Sequence, residues 1–474
     1  MDAVFGGITD CLENARQEAS FGDVHFGAAA FGDKRLTTRA VITANAMMRH
    51  PGGTLPDKLA TPELLAFYDF ANNPKTTHDN VLAAHCARTR ERMEACGEEV
   101  LIIHDTTEAD YSGLNVPGLG SIGNGHCRGL LLHNVMAFSP ADRQALGLVA
   151  QFVHQRRNVR KGESKTAKRQ HPQRESRLWL KGVEAVGAVP AGKLWVNLMD
   201  RGGDTFESLE KQHGSGQFYV VRSKSNRSVE VPDKLGRRIK RKLHPWARKL
   251  AHAGRRTVTV AAQEGREARQ ATMAVAYAAV TLPAPRSPRG EHGKAPLKAW
   301  VVHLMEIDAP KDAAPLEWIL LTNVPTENQP QAWKRVDWYE CRPVIEECHK
   351  AMKTGCGMEH AQFTTRKALE VTIAMVSVVS VQLLRLRDLS RRADADTTPA
   401  VEAVDACYVE AIGLWRHKRV DMNMSVTEFV RTLAYMGGHL NRKGDRPPGW
   451  LVLWRGWMEL QPLVQGIRLA GLKR

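Results

Sequence analysis

Two short apolar runs constrain this chain more than any other feature. Val100-Leu-Ile-Ile103 leads into His104-Asp105, and Lys193–Met199 leads into Asp200 and then Gly202-Gly203. A run without polar alternation suits a strand buried on both faces, and such strands need helices on each side. Two more strand candidates, Leu130–Phe138 and Ala145–Val153, follow the first run and are joined by the turn-like Ser139–Arg143. Helical spacing over Arg174–Val189 precedes the second run. The order strand, strand, strand, helix, strand predicts an α/β sheet with two strands that terminate in carboxylates, where such sheets usually place ligand sites.

Residues 1–80 are expected to be helical; Lys34–Arg49 spaces Leu36, Val41, Ile42, Ala46 and Met47 on a helical period and is stopped by Pro51–Pro56. Phe218–Arg222, Ala271–Leu282, Lys298–Ile307 and Trp318–Asn323 read as strands, and Pro283–Pro296 as an exposed loop. Gln331–Met358 is expected to be helical apart from Pro343. Arg366–Leu386 reads as a buried helix, because its most apolar stretch, Val371–Leu384, falls short of the roughly 20 residues a membrane span needs and contains Ser377, Ser380 and Gln382. Arg391–Pro399 reads as a polar linker, and Ala400–Arg474 as helical with a break at Gly444–Pro448. Trp450, Trp454 and Trp457 share one helix face, which either packs internally or meets a partner.

Composition limits the class. The 474 residues are 43% hydrophobic and 25% charged, which excludes wholesale disorder, and the formal net charge is +16. That charge is local. Arg156–Arg177 holds nine Lys and Arg against Glu163 and Glu175, and Arg222–Arg256 holds thirteen against Glu230 and Asp233, so the rest of the chain is close to neutral. Two concentrated basic stretches are what a phosphate-tracking surface needs. Arg237, Arg238, Lys240, Arg241 and Lys242 form the densest tract. Met1–Ser20 has no apolar signal-like core, and the eight cysteines are scattered without a CxxC pair. A reducing cytoplasm and no membrane are expected.

A tighter constellation lies near residue 346. Tyr339, Arg342, Glu346 and Lys353 fall at spacings of three, four and seven. At about 100° per residue an unbroken helix would project all four from one narrow arc. That face would carry a carboxylate for a divalent ion, two cations for phosphate and a phenol for a phosphate oxygen. Pro343 disturbs the arc; if a helix starts there, Tyr339 and Arg342 sit in its lead-in while Glu346 and Lys353 still share a face. With the two strand-end aspartates, Glu346 completes a three-carboxylate set. Oxygen-only ligands select Mg²⁺ or Mn²⁺, and two such ions about 3.5–4 Å apart can serve an in-line displacement at phosphorus.

His104-Asp105-Thr106-Thr107, Asp200-Arg201-x2-Asp204, and Tyr339 to Lys353 within Ile345–Gly355 together resemble the DDE transposases of the insertion-sequence-four type. Phe31–Arg35, Phe218–Lys224, Pro315–Thr322 and Leu453–Trp457 extend the likeness along most of the chain. Pro343 and Cys348 stand where bulkier apolar side chains are usual. The resemblance implies an RNase H-like catalytic core, a mixed sheet with flanking helices, over 81–390, interrupted by a β-rich insertion at about 222–317. It implies a helical N-terminal end-binding region over 1–80 and a helical dimerisation region over 391–474. Asp105, Asp200 and Glu346 would be the catalytic metal ligands for two Mg²⁺, with Mn²⁺ able to substitute. Tyr339, Arg342, Lys353, Arg222 and Lys224 would contact DNA phosphates, and Trp318 would stack on a flipped base. The partners implied are double-stranded DNA, both transposon ends and target, and a second copy of the chain. The reaction implied is cut-and-paste transposition. Two rivals are a DNA-binding regulator without catalysis and a metal-dependent nuclease without strand transfer. A zinc site from Cys341, Cys348, His349, Cys356 and His360 is disfavoured by irregular spacing.

Overall fold

The computed structural model describes residues 20–50, 52–233, 235–260, 268–286, 292–310, 314–389, 391–404, 406–442, 445 and 447–471. The expectations for residues 1–19, for the middle of the 283–296 loop and for Gly444 lie outside these.

The N-terminal region is helical, and local chemistry sets where each helix starts. α1 (Phe21–Phe26), α3 (Leu55–Lys58) and α5 (His78–Ala95) open with reciprocal capping boxes at Ser20, Thr54 and Thr77. α4 (Thr61–Asn72) carries Pro62 in its first turn. α2 (Lys34–Arg49) has the bounds its periodicity predicts, is capped by Asp33, and buries Ala40, Thr43, Ala44 and Met47.

Among the described residues, twelve strands form one mixed sheet: β1 (Glu99–Asp110), β2 (Gly120–Ile122), β3 (Cys127–Ser139), β4 (Gln144–His154), β5 (Leu194–Met199), β6 (Phe218–Arg222), β7 (Ser228–Pro232), β8 (Arg238–Lys242), β9 (Gly254–Val260), β10 (Arg269–Leu282), β11 (Leu297–Ile307) and β12 (Glu317–Thr322). One half has the order β4-β3-β1-β5-β6. There β1, β5 and β6 are parallel, and β3 runs antiparallel to both β1 and β4. β1 is buried on both faces: Leu101 and Ile103 belong to one apolar cluster, and Val100 and Ile102 to another. On the Leu101 side the sheet meets α12 (Arg366–Leu389), against which α2, α4 and α5 also pack. α12 is long and apolar enough to cross a bilayer, yet 94% of its apolar window is buried inside the protein. α7 (Arg177–Val186) packs against β3 and β4.

The structure corrects the sequence reading in three places. β1 does not end at Asp105; it continues to Asp110, because β3 pairs with it antiparallel as far as Asp110↔Gly129. The basic stretch after Arg222, where no apolar run announced a strand, contains β7, β8 and β9. β8 is an edge strand whose residues are nearly all exposed, so it lacks the apolar run that would announce it. β12 pairs with both β6 and β11, so these strands continue the central sheet. Third, Arg391–Pro399 is fastened down: Val426 N donates to Thr398 O at 2.9 Å and Ala400 N to Met424 O at 2.7 Å.

After this segment come α13 (Ala406–His417), α14 (Val426–Met436) and α15 (Trp450–Gly471). The tryptophan stripe of α15 is internal core. Trp450, Trp454 and Trp457 are all buried, and Trp457 stacks on Tyr408 at 4.7 Å between ring centres. α14 and α15 cross closely through glycines: a Cβ on Gly456 would lie 1.8 Å from the Leu433 carbonyl oxygen.

Candidate active site

The sheet register brings the two aspartates together. β1 and β5 pair in parallel up to Ile103↔Leu198. Two residues further along the chain from each of these stand Asp105, midway along β1, and Asp200, the first residue past the end of β5. The Asp200 carboxylate caps a single turn, Arg201–Gly203, by accepting from Gly202 N at 2.6 Å.

The third carboxylate arrives on a broken helix. α10 (Gln329–Glu340) ends before Pro343, and α11 (Val344–Lys350) starts after it, with Pro343 at its N-cap. Proline lacks the N–H that a continuous helix would need there, and its ring crowds the carbonyl four residues back. Tyr339 therefore lies at the end of α10, Arg342 in the turn and Glu346 in the first turn of α11. The helix then widens into a π turn at Ala351–Gly355, which carries Lys353. The single arc expected of an unbroken helix does not form, but a tighter arrangement does. Arg342 reaches Asp105 Oδ1 at 2.8 Å and Asp200 Oδ2 at 3.9 Å, and pairs with Glu346. Three carboxylates from three elements thus converge on one guanidinium. Lys353 instead pairs with Glu359 at 3.3 Å.

The electrostatics follow from burial. The Asp105 side chain is 12% exposed, whereas those of Asp200 and Glu346 are 39% and 50% exposed, so the site opens toward solvent on their side. Burial pushes the Asp105 carboxyl up to about 6, against the opposing pull of Arg342. Burial would lower the Arg342 pKa, yet Asp105, Glu346 and Asp200 outweigh it and hold it above the ordinary value. Burial raises the Tyr339 phenol to about 12 and holds His349 near 3, a neutral imidazole.

Around this centre, Trp318 and Tyr339 are in edge-to-face contact at 5.0 Å. Arg222 is half-buried, with Arg201, Arg342 and Asp200 as charged neighbours and the Tyr339 phenol beside it. Lys224 faces a different space, a cavity of about 440 Å³ that Lys168, Arg169, Asp204 and Arg227 also line. The five residues of the densest basic tract lie on or beside β8, where Arg237 pairs with Asp233 and Lys240 approaches Glu230 at 3.9 Å. In the first basic stretch, Arg156 pairs with Glu175, Arg157 with Glu163, and Arg174 with Glu207.

Among the described residues, no three His, Cys, Asp or Glu side chains stand close enough together to hold a metal ion as they are arranged. For the carboxylates the reason is Arg342, whose cation occupies the point on which they converge. The donor set itself, oxygen only and three negative charges around one cation position, suits a hard divalent ion once the guanidinium moves. Sequence reasoning missed this bridge, and it missed a buried polar row behind Asp105 made of Asn134, Gln151 and His349. The one sequence signal for the row was His349, three residues from Glu346 on the same helix.

Comparison with known proteins bears on the N-terminal region. Residues 18–76 match the family model described as Transposase DNA-binding, which spans α1 to α4. That match concerns the N-terminal helices alone. Among solved structures it aligns with a piggyBac transposase synaptic complex with hairpin DNA, at 9% identity, over 99% of this chain and 80% of the other, with a TM-score of 0.36. That superposition is too loose to bear on the fold or the site.

Proposed function

We propose that this chain is a DDE transposase with an RNase H-like core, which binds element ends, cuts them and joins the 3′ ends to target DNA. The observation that carries the reading is the convergence of Asp105, Asp200 and Glu346 on one cation position, beside the middle of β1 and the C-terminal end of β5. The strand pattern β4-β3-β1-β5-β6, an antiparallel meander joined to parallel strands, supports the proposal of an RNase H-like core. The N-terminal DNA-binding match supports end recognition.

In this reading the three carboxylates hold two Mg²⁺, or Mn²⁺ in its place. Bound ions would activate the attacking oxygen and neutralise charge developing at phosphorus. The protein's own groups do the rest. Asp105 is fixed by burial in the sheet, and Asp200 by its own turn. Arg342 leaves the carboxylates for a DNA phosphate, which substitutes one anionic partner for another. Arg222 and Tyr339 line the same mouth and supply a second cation and a phenol donor. Trp318, backed by Tyr339, presents a half-buried aromatic face to an unpaired base.

The test is incubation with linear DNA carrying the sequences that flank the gene on both sides, in Mg²⁺, with a target plasmid. Excision and joined 3′ ends are expected. Cleavage without joining would leave a nuclease, and binding without cleavage a regulator.

Two further expectations concern DNA and assembly. Replacing Arg238, Lys240, Arg241 and Lys242 with Gln should flatten the salt dependence of DNA binding by roughly 0.9 in log–log slope for each phosphate that is no longer neutralised. An unchanged slope would assign β8 the other use of a basic edge strand, blocking edge-to-edge aggregation. The active form is proposed to be a dimer on paired ends. Its interface cannot be the α15 tryptophans, which are core, but the C-terminal region also exposes Leu414, Val420, Met422, Tyr435 and Leu440. Val420→Glu with Leu440→Glu should keep single-end binding and lose the mixed-length band that labelled ends of two sizes give on native gels. Removing everything after residue 399 is the poorer experiment, because Trp450 packs against Gly355 beside the active-site helix.

A further inference from the structure

Behind Asp105 runs a buried chain of polar side chains to which neither the family match nor the proposed reaction gives a role. Asp105 on β1 is the cross-strand partner of Asn134 on β3, and Asn134 is the partner of Gln151 on β4. Three polar residues thus form a row across three strands. Gln151 Nε2 donates to Asn134 Oδ1 at 2.6 Å and to Ser377 Oγ on α12 at 2.8 Å. Asn134 Nδ2 lies 3.0 Å from His349 Nε2, and His349 Nδ1 faces Asp105 Oδ2 at 3.9 Å. At the far end, Gln151 Oε1 meets His78 Nε2 at 2.9 Å. Asn134, Gln151, His349 and Ser377 are all buried.

The hydrogen bonds fix their own direction. The Ser377 hydroxyl donates to Ile373 O at 2.7 Å, so toward Gln151 it accepts. Gln151 must therefore turn its NH₂ to Ser377 and Asn134. Asn134 then offers its carbonyl to Gln151 and its NH₂ to His349. The Nε2 of His349 accepts, and a neutral imidazole that accepts on Nε2 carries its proton on Nδ1, the nitrogen that faces Asp105.

We propose that His349 is a positioning residue for Asp105: its Nδ1–H, 3.9 Å from Oδ2 while Arg342 holds the carboxylate, closes to a hydrogen bond that orients Asp105 when a divalent ion takes the guanidinium's place, and Asn134 and Gln151 fix the tautomer that makes this possible. Arg342 holds the other Asp105 oxygen, Oδ1. When Arg342 leaves for DNA, the His349 N–H is the side-chain donor still facing the carboxylate. Partners of this kind orient metal ligands and tune affinity without touching the ion. The proposal rests on the metal-dependent function proposed for the three carboxylates.

The test is Mn²⁺ titration of the full chain, read from the electron paramagnetic resonance signal of free Mn²⁺, for the wild type, Asp105→Asn, His349→Asn and His349→Gln. An Asn amide nitrogen can stand near the Nδ1 position, and a Gln amide nitrogen near Nε2. His349→Gln is expected to bind Mn²⁺ roughly 10–100-fold more weakly, and His349→Asn to stay within about threefold of the wild type. Equal losses, or the reverse order, would mean that the ring serves Asn134 and packing, and would overturn the proposal. If Asp105→Asn leaves the wild-type titration unchanged, the metal reading itself fails and the proposal falls with it. Gln151→Leu, which never touches Asp105, gives an independent check should a His349 variant fail to fold. It frees the Asn134 amide to rotate and should weaken Mn²⁺ binding in the same direction, while unchanged affinity would overturn the claim that the row sets the tautomer.

Discussion

Asp105→Ala, Asp200→Ala and Glu346→Ala are each expected to abolish cleavage of element ends in Mg²⁺ while leaving end binding close to wild type. The three carboxylates sit within β1, just past β5 and in the first turn of α11, and the transposase DNA-binding match lies elsewhere, over residues 18–76. Removing a ligand disables the positioning of the ion and not the surface that grips the duplex. A gel-shift titration beside a cleavage assay separates the two effects. The loss of cleavage should be at least about a thousandfold, because the charge developing at phosphorus would have no substitute counter-charge. Near-normal cleavage by any one variant would remove that residue from the site.

Arg342→Ala should move two observables in opposite directions. End binding and cleavage should fall, because a phosphate partner is removed. Mn²⁺ affinity without DNA should rise, by tenfold or more on the order of what removing a competing charge within 4 Å is worth, because the guanidinium no longer occupies the position on which the carboxylates converge. Without metal, the variant leaves a half-buried carboxylate cluster uncompensated, so its melting temperature should drop and recover on adding Mn²⁺. Calorimetric titration and thermal unfolding, each with and without Mn²⁺, measure this. Weaker Mn²⁺ binding in the variant would show that Arg342 supports the ion site and does not compete for it.

Much of the fold was legible before the structure. β1, β5, β6, β10, β11 and β12 lie where apolar runs predict strands, and α2 lies where its period does. These elements are buried, so their sequences must be apolar at the positions that meet the core. β7, β8 and β9 escaped because edge and half-exposed strands need no apolar run; β8 reads Arg-Ile-Lys-Arg-Lys and is held by pairing with β7. The extension of β1 past Asp105 escaped for a related reason, since its hydrogen-bond partner is β3, about thirty residues away in the chain.

For the candidate site, the sequence by itself determined the chemistry. Asp105, Asp200 and Glu346 as hard oxygen donors, with Tyr339 and Arg342 beside them, followed from residue type and spacing. Tertiary structure decided the geometry. Pro343 breaks the helix on which that spacing was read, so Arg342 lies among the carboxylates and Lys353 turns away to Glu359. Register decided that Asn134 and Gln151 line up behind Asp105, and helix placement that His349 closes the row. Spacing along one helix is a local property that a sequence displays directly. Which strands are neighbours, and in what register, depends on contacts between residues far apart in the chain, and only the folded molecule fixes those.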